Sequence, residues 1–358
     1  MKKVISLLSL TLIMALVLSG CGGGSKKEAN DTQSKPAQEP QQQVIKLKLA
    51  HFFPVGHSSY ENAIYFIQRV EDLSKGKVKI EHYPAEQLGK LKDLLNLASQ
   101  GIADMAFVPP SFYAGQVPLN TVMTLPFWTT AAEGSEIYNR LAKACPELTE
   151  EFLKYGVRPY SFTATSQYEV GTVRKPLNSP EDLKGLKLKT SGGLFDKIAV
   201  RYGIRPVTVA SPEIYEATQR GITDGNILSY SSVKGYRVNE LEKHRTLGLR
   251  MGGYPSVYVI NEKRWQSLPD DVRKAILTAA ADSNKEHTVR WDRETEELAA
   301  QFQKDGMTIY RIKPEERAHW EAPLKGIEEE WVQDMEKKGF PARKVCEEYL
   351  KICKEVAK

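Results

Sequence analysis

From Asp270 to Lys304 the chain runs for 35 residues without a Pro or a Gly and is rich in Ala, Glu and Lys. As one α-helix it would span roughly 50 Å at 1.5 Å per residue. That exceeds the diameter of a small domain, so the helix is expected to touch both halves of a two-part body. The 358 residues are 41% hydrophobic and 27% charged, proportions of a globular chain rather than a disordered or polytopic membrane protein. A second helical tail opens at Pro314 and carries Trp320, Trp331 and Tyr349.

The two bodies read as α/β. Ile45, Leu47 and Leu49 alternate with lysines as a first strand. Ser58 and Glu61 have the spacing of a capping box, and Tyr60, Ile64, Ile67 and Val70 follow at helical spacing up to Gly76. Val78, Ile80 and His82 form a second strand. Leu91, Leu94, Leu95 and Ala98 form a second helix stopped by Gly101, and Ala103 to Val108 a short buried strand. This β-α-β-α-β order implies a largely parallel sheet covered by helices. The rhythm resumes with helix starts at Ser179-Pro180-Glu181 and Ser211-Pro212-Glu213. Strands fall at Leu186–Thr190 and near Asp224–Leu228, with a helix over about Leu194–Tyr202.

The first 44 residues are an address and a tether. Lys2 and Lys3 precede an apolar run, Val4 to Leu18, too short for a membrane span. Leu18-Ser19-Gly20-Cys21 resembles the bacterial lipobox, which implies cleavage after residue 20 and lipidation of Cys21. Residues 22–44 hold scarcely an apolar side chain and read as a flexible leash. The expected location is therefore the outer face of the cell membrane, periplasmic in a Gram-negative cell, with the bilayer as a partner through the acylated Cys21. The formal charge of +5 falls to +3 without Lys2 and Lys3, too weak for a nucleic-acid footprint.

Signatures of catalysis are missing. There is no Gly-x-Gly-x-x-Gly after a strand, no Walker-type Gly-Lys-Ser/Thr and no Gly-x-Ser-x-Gly elbow. His51 and His57 lack a zinc-binding context, so no metal is expected, and no cofactor either. His82, His244, His287 and His319 are scattered and read as surface residues. Four cysteines are too few for a disulfide scaffold. Cys346 and Cys353 lie about 10 Å apart if on one helix; either the helix breaks, or they stay free, or one pairs with Cys145. An exported, anchored, two-lobed chain without a catalytic signature fits ligand capture rather than an enzyme.

Four segments resemble the solute-binding proteins of TRAP transporters, the DctP-type family. They are Leu47-Lys48-Leu49-Ala50-His51, the run from Tyr83 to Gly89, the run from Ser179 to Leu188 and the run from Glu213 to Gly225. The resemblance covers about Ile45 to Lys304 and extends to Leu268-Pro269-Asp270 at the start of the long helix. It implies a two-lobed periplasmic-binding-protein-like fold with crossing strands and a long helix spanning both lobes. Lobe I would hold 45–166 and 246–286, lobe II 167–245 and 287–358. A small organic acid would lie between them and be delivered to the TRAP membrane permease. The alternative is a binding protein serving an ABC transporter or a sensor.

The family usually carries a carboxylate-gripping arginine after Gly-Leu-Lys-Leu, where this chain has Lys189, a cation without the rigid fork. Arg174 is a candidate substitute. Ser191 and Gly192, just ahead of a helix, suit an anion at the helix N-terminus. Phe52, Phe53 and His57 leave the first strand, and Ser111 and Phe112 the third, at carboxyl ends where ligands of open α/β sheets sit. Core packing claims two of the three phenylalanines. Tyr168 and Glu169 fall at the crossover, where Glu169 would need Arg174 or Lys189 as a partner. Asn226 and Tyr230 would complete the polar wall.

Overall fold

A computed structural model describes residues 44–356, so the expected leader, the lipidated Cys21 and the tether lie outside the described residues. Two sheets carry the architecture. The first contains β1 (Ile45–Ala50), β2 (Val78–Tyr83), β3 (Met105–Val108) and β4 (Val157–Ala164). The second begins with β5 (Glu169–Thr172) and continues with β6 (Lys187–Thr190), β7 (Arg205–Thr208), β8 (Gly225–Leu228) and β9 (His244–Leu247). The chain then returns as β10 (Pro255–Asn261) to the first sheet and ends its strands with β11 (Thr308–Arg311) in the second.

The orders are β2-β1-β3-β10-β4 and β11-β9-β5-β8-β6-β7. Leu47 and Leu49 on β1 are fully buried while Lys46 and Lys48 face solvent, as the alternation predicts. The expectation of largely parallel sheets holds only in part. β10 runs antiparallel to β3 and β4, and β5 antiparallel to β8 and β9. Both odd strands are those by which the chain enters a sheet from the other lobe.

Two segments cross between the sheets, 165–168 and 248–254, and they pair with each other. Thr165 N donates to Tyr254 O at 3.1 Å, Tyr168 N to Gly252 O at 2.9 Å and Met251 N to Tyr168 O at 3.2 Å. The Gln167 side chain adds a bond from Gly252 N at 3.0 Å. The third link is the helix Asp270–Lys304, with the limits read from the sequence. Its first half meets the helix Ser58–Leu73 through Ser283 Oγ to Asn62 Oδ1, 2.7 Å, and the Arg69–Asp282 pair. Asp292 accepts from Ala131 N at 2.6 Å and so caps the helix Ala131–Ala144. Beyond it, Phe302 stacks on Tyr230 of the second lobe.

Several local expectations shift. The helix Ser58–Leu73 is capped by His57, whose imidazole accepts from Ser59 N at 3.0 Å, and not by a Ser58–Glu61 box. Ser179-Pro180-Glu181 opens only a short 3-10 turn, boxed by Asp182. The C-terminal helix Ala342–Val356 packs on Ala131–Ala144 of the first lobe, with Tyr349 Oη donating to Leu125 O at 2.9 Å. The expected assignment of 287–358 to lobe II therefore does not extend to this helix. Its apolar face, with Val345, Tyr349 and Ile352, is already satisfied against the first lobe. Cys145, Cys346 and Cys353 are all free and buried, and burial pushes the thiols of Cys346 and Cys353 up to about 12. His287 is buried against Trp291, not superficial, and His82 pairs with His51.

Trp128 lies across the second crossing segment, where a Cβ on Gly253 would overlap its ring. Gly253→Ala is expected to lower the unfolding free energy by about 1–3 kcal/mol in urea melts. Gly115→Ala, with open space around it, should stay within about 0.5 kcal/mol. Equal effects would contradict the packing of this crossover.

Candidate functional site

The carboxyl ends of the parallel strands in the two sheets face each other. A Cβ on Gly193, beyond β6, would lie 3.7 Å from Ser111 O, beyond β3. Gly235, in the helix after β8, abuts the His57 ring, beyond β1. Between these loops lies a cavity lined by Phe52, Phe53, His57, Tyr168, Tyr236, Tyr254 and Trp291, with Ser and Thr residues between them. Its volume is about 290 Å³.

Lys189 sits on β6 between Val207 of β7 and Asn226 of β8. Ser211, just beyond β7, and Ser232, beyond β8, both line the cavity, so Lys189 rises at the same end of the second sheet. Its side chain is fully buried, and Nζ reaches only Ser191 Oγ at 3.3 Å. No carboxylate among the described residues lies within ion-pair distance. Burial pushes the ammonium down to about 7.

The acid that could have neutralised it is engaged elsewhere. Glu169 accepts from Thr246 Oγ1 at 2.6 Å, Gly248 N at 2.7 Å and Leu249 N at 3.1 Å, pinning the second crossing segment to β5. Burial pushes its carboxyl up to about 7 against these three donors. It pairs with neither Arg174 nor Lys189, contrary to expectation. Arg174 is exposed and follows Thr172, which pairs with Gly225 at the opposite end of the sheet from the cavity. It lines a separate depression with Leu186 and Asp224.

Two more expected wall residues serve the scaffold. Asn226 donates to Glu242 and accepts from Arg245 Nη1 at 3.3 Å, inside a buried Arg245–Glu242 pair. Tyr230 donates to Thr246 O at 2.8 Å, with the Arg245 guanidinium 5.1 Å above its ring. The first amides of the helix Leu194–Arg201 are largely spoken for, since Phe195 N and Asp196 N donate to Gly192 O and Gly193 O. Gly192 and Gly193, at φ 80° and 59°, take up positive-φ backbone in the turn from β6 into that helix.

The aromatic expectation fares better. Phe53 stacks on His57 at 4.6 Å and Phe52 meets Phe107 of β3 at 5.5 Å, so both join core and cavity. Phe112 is only half-buried and does not line the cavity, whereas Ser111 Oγ is buried without a partner. Tyr168 stacks between Phe195 at 5.2 Å and Tyr254 at 5.7 Å. Tyr236, Tyr254 and Trp291 are wall residues that sequence reasoning missed. Trp291 hides within the long helix, and the two tyrosines carry no motif.

His57 is neutral and its tautomer is fixed. An amide N–H can only donate, so Nδ1 is the acceptor from Ser59 and Nε2 carries the proton. Burial holds the imidazole down at about 3. The Nε2–H has no partner. His51 orients the same loop: its Nδ1 accepts from Phe53 N at 3.2 Å and its Nε2 meets His82 Nε2 at 2.6 Å.

The lysine has a consequence for stability. Folded, it releases its proton at about 7, against 10.5 for a free lysine, so unfolding takes up a proton between those pH values. This group therefore makes the ligand-free protein more stable as pH rises from 7 toward 10.5, by up to about 1.4 kcal/mol per pH unit. Denaturant melts at pH 7 and pH 9.5 should show the wild type gaining on Lys189→Met by more than 1 kcal/mol. A pH-independent difference would contradict an uncompensated ammonium.

Comparison with known proteins places this geometry in a family. Residues 49–338 match the DctP family, bacterial extracellular solute-binding protein, family 7. A solute-binding protein of Albidiferax ferrireducens is 28% identical over 291 residues, covering 78% of this chain and 84% of that protein. The C4-dicarboxylate-binding periplasmic protein DctP of Rhodobacter capsulatus is 27% identical, covering 81% of this chain and 87% of its own length. Among solved structures, a TRAP solute-binding protein of Rhodoferax ferrireducens in complex with copurified benzoate superposes with a TM-score of 0.82. It is 24% identical and covers 88% of this chain and 99% of its own. A TRAP periplasmic solute-binding protein of Bordetella bronchiseptica with bound mandelate gives 0.76 at 20% identity, covering 87% and 99%. The chain belongs to the DctP family of bacterial extracellular solute-binding proteins.

Proposed function

We propose that this protein is the extracytoplasmic receptor of a TRAP transporter and captures a small organic acid between its two lobes without transforming it. The single observation that carries the reading is Lys189, a fully buried lysine with no anionic partner among the described residues. A buried cation without a counter-ion is held at high free energy, and an incoming carboxylate supplies what the fold withholds. Because the lysine belongs to the second sheet and His57 to the first lobe, an anion between them is better bound when the lobes are together. Differential affinity of that kind shifts a hinged pair toward closure. The wall of Phe53, Tyr168, Tyr254 and Trp291 suits an acid with a ring or a compact apolar body. Benzoate and mandelate in the structural relatives are acids of this kind.

Lipidation of Cys21 would hold the receptor at the membrane, within reach of the permease that takes the solute from the closed form. The lipobox-like run Leu18-Ser19-Gly20-Cys21 supports that arrangement.

A thermal-shift panel tests the reading, since a ligand of the native state alone raises the melting temperature. Aromatic and small aliphatic carboxylates should stabilise the wild type, and neutral sugars should not. Lys189→Ala should lose the response, and Lys189→Arg should retain part of it. Bound acid recovered unchanged from the protein is the expected mass-spectrometric result. Equal stabilisation by sugars, or conversion of the acid, would overturn the proposal.

A further inference from the structure

Apart from Lys189, which is not among the lining residues, the cavity itself holds a set of unmet bonds. His57 Nε2, Trp291 Nε1, Tyr236 Oη, Tyr254 Oη and Ser256 Oγ all belong to its lining and all are buried without a hydrogen-bond partner. Tyr236 lies beside Ser211 but outside bonding geometry. Two of the five are donors with no alternative. The indole N–H can only donate, and the His57 tautomer is locked by Ser59 N at its other nitrogen. Both residues are nearly inaccessible, at 1% and 4% exposure. A buried donor left unpaired is costly, and a native fold satisfies it by some partner.

That partner has to be an acceptor. It also has to be uncharged. No lysine or arginine lines the cavity, and Arg245, the other fully buried cation, is committed to Glu242. Lys189 therefore balances one negative charge and no more. His57 offers no second charge, because protonating Nδ1 would set two N–H groups against each other.

We propose that the captured acid is a monocarboxylate bearing a second, neutral oxygen, a hydroxyl or oxo group, which accepts from His57 Nε2–H and Trp291 Nε1–H. This rests on the receptor reading above and narrows its ligand class. The carboxylate is held from the second sheet, and the neutral oxygen from the first-lobe loop and the long helix. Such an acid ties the two lobes together, and the same acid without the oxygen leaves both donors buried and unpaired. A site built to bond a polar group discriminates strongly against the analogue lacking it.

Titration calorimetry of the intact protein with matched acids tests this. Phenylacetate is compared with mandelate and phenylglyoxylate, and benzoate with 3- and 4-hydroxybenzoate. At least one oxygenated acid should bind tenfold or more tightly than its bare parent. In Trp291→Phe, which keeps the ring and loses the N–H, that ratio should fall toward one. His57→Asn, which retains an oxygen to accept from Ser59 N, should reduce it as well. Bare and oxygenated acids binding within threefold of each other would overturn this inference and leave the receptor reading standing. So would a preference that survives in both variants. If no carboxylate binds at all, the receptor reading fails and the inference fails with it.

Discussion

The site depends on an ammonium group sealed in the protein with nothing opposite it. Lys189 is placed there by β6, which runs between two other parallel strands and leaves its side chain no route to water. Most buried charges are neutralised by a neighbour. Here two buried carboxylates of the second lobe are engaged with other partners. Glu169 clasps the amides of Gly248 and Leu249, and Glu242 is bound to Arg245 and Asn226. The second sheet thus contains two buried cations with opposite fates. Arg245 is ion-paired with Glu242 inside the fold. Lys189 bonds only Ser191 Oγ and has no carboxylate partner among the described residues.

The surrounding architecture joins the two lobes at few points. Paired crossing segments and one long helix join the lobes, so few backbone torsions have to change for one lobe to move against the other. Gly235 against His57 and Gly193 near Ser111 are contacts between lobes rather than within them. Asp292, capping the helix Ala131–Ala144 from the middle of the long helix, ties that helix to the first lobe, while Phe302 ties its end to the second.

Much of the fold was legible in the sequence because it is written in local patterns. The alternation in Ile45–Ala50 and the Pro- and Gly-free run to Lys304 each set an element almost to the residue. β10 was not legible, since Pro255–Asn261 is buried along its whole length and shows no alternation. The C-terminal helix was placed with the wrong lobe because its partner, Ala131–Ala144, is some two hundred residues away in sequence. Of the residues expected at the site, Phe52, Phe53, His57 and Tyr168 line one cavity, and Lys189 is bonded to Ser191 beyond β6. Arg174, Glu169, Asn226 and Tyr230 do not face the cavity. Sequence proximity to the crossover could not reveal that strand direction carries Arg174 to the far end, or that Glu169 turns toward backbone amides. Trp291 and Tyr254 entered the wall through tertiary packing alone.

The most direct measurement of the central claim is the proton balance of binding. Calorimetry of the tightest-binding acid at pH 8, repeated in buffers of different ionisation enthalpy, counts protons taken up with the ligand. If Lys189 is uncompensated, and so mostly neutral when free and charged when paired, uptake approaches one proton per acid at pH 8, declines toward zero by pH 6 and vanishes in Lys189→Met. Tight binding with no proton uptake at pH 8 would mean that the ammonium is already balanced in the empty protein, and the account would be wrong.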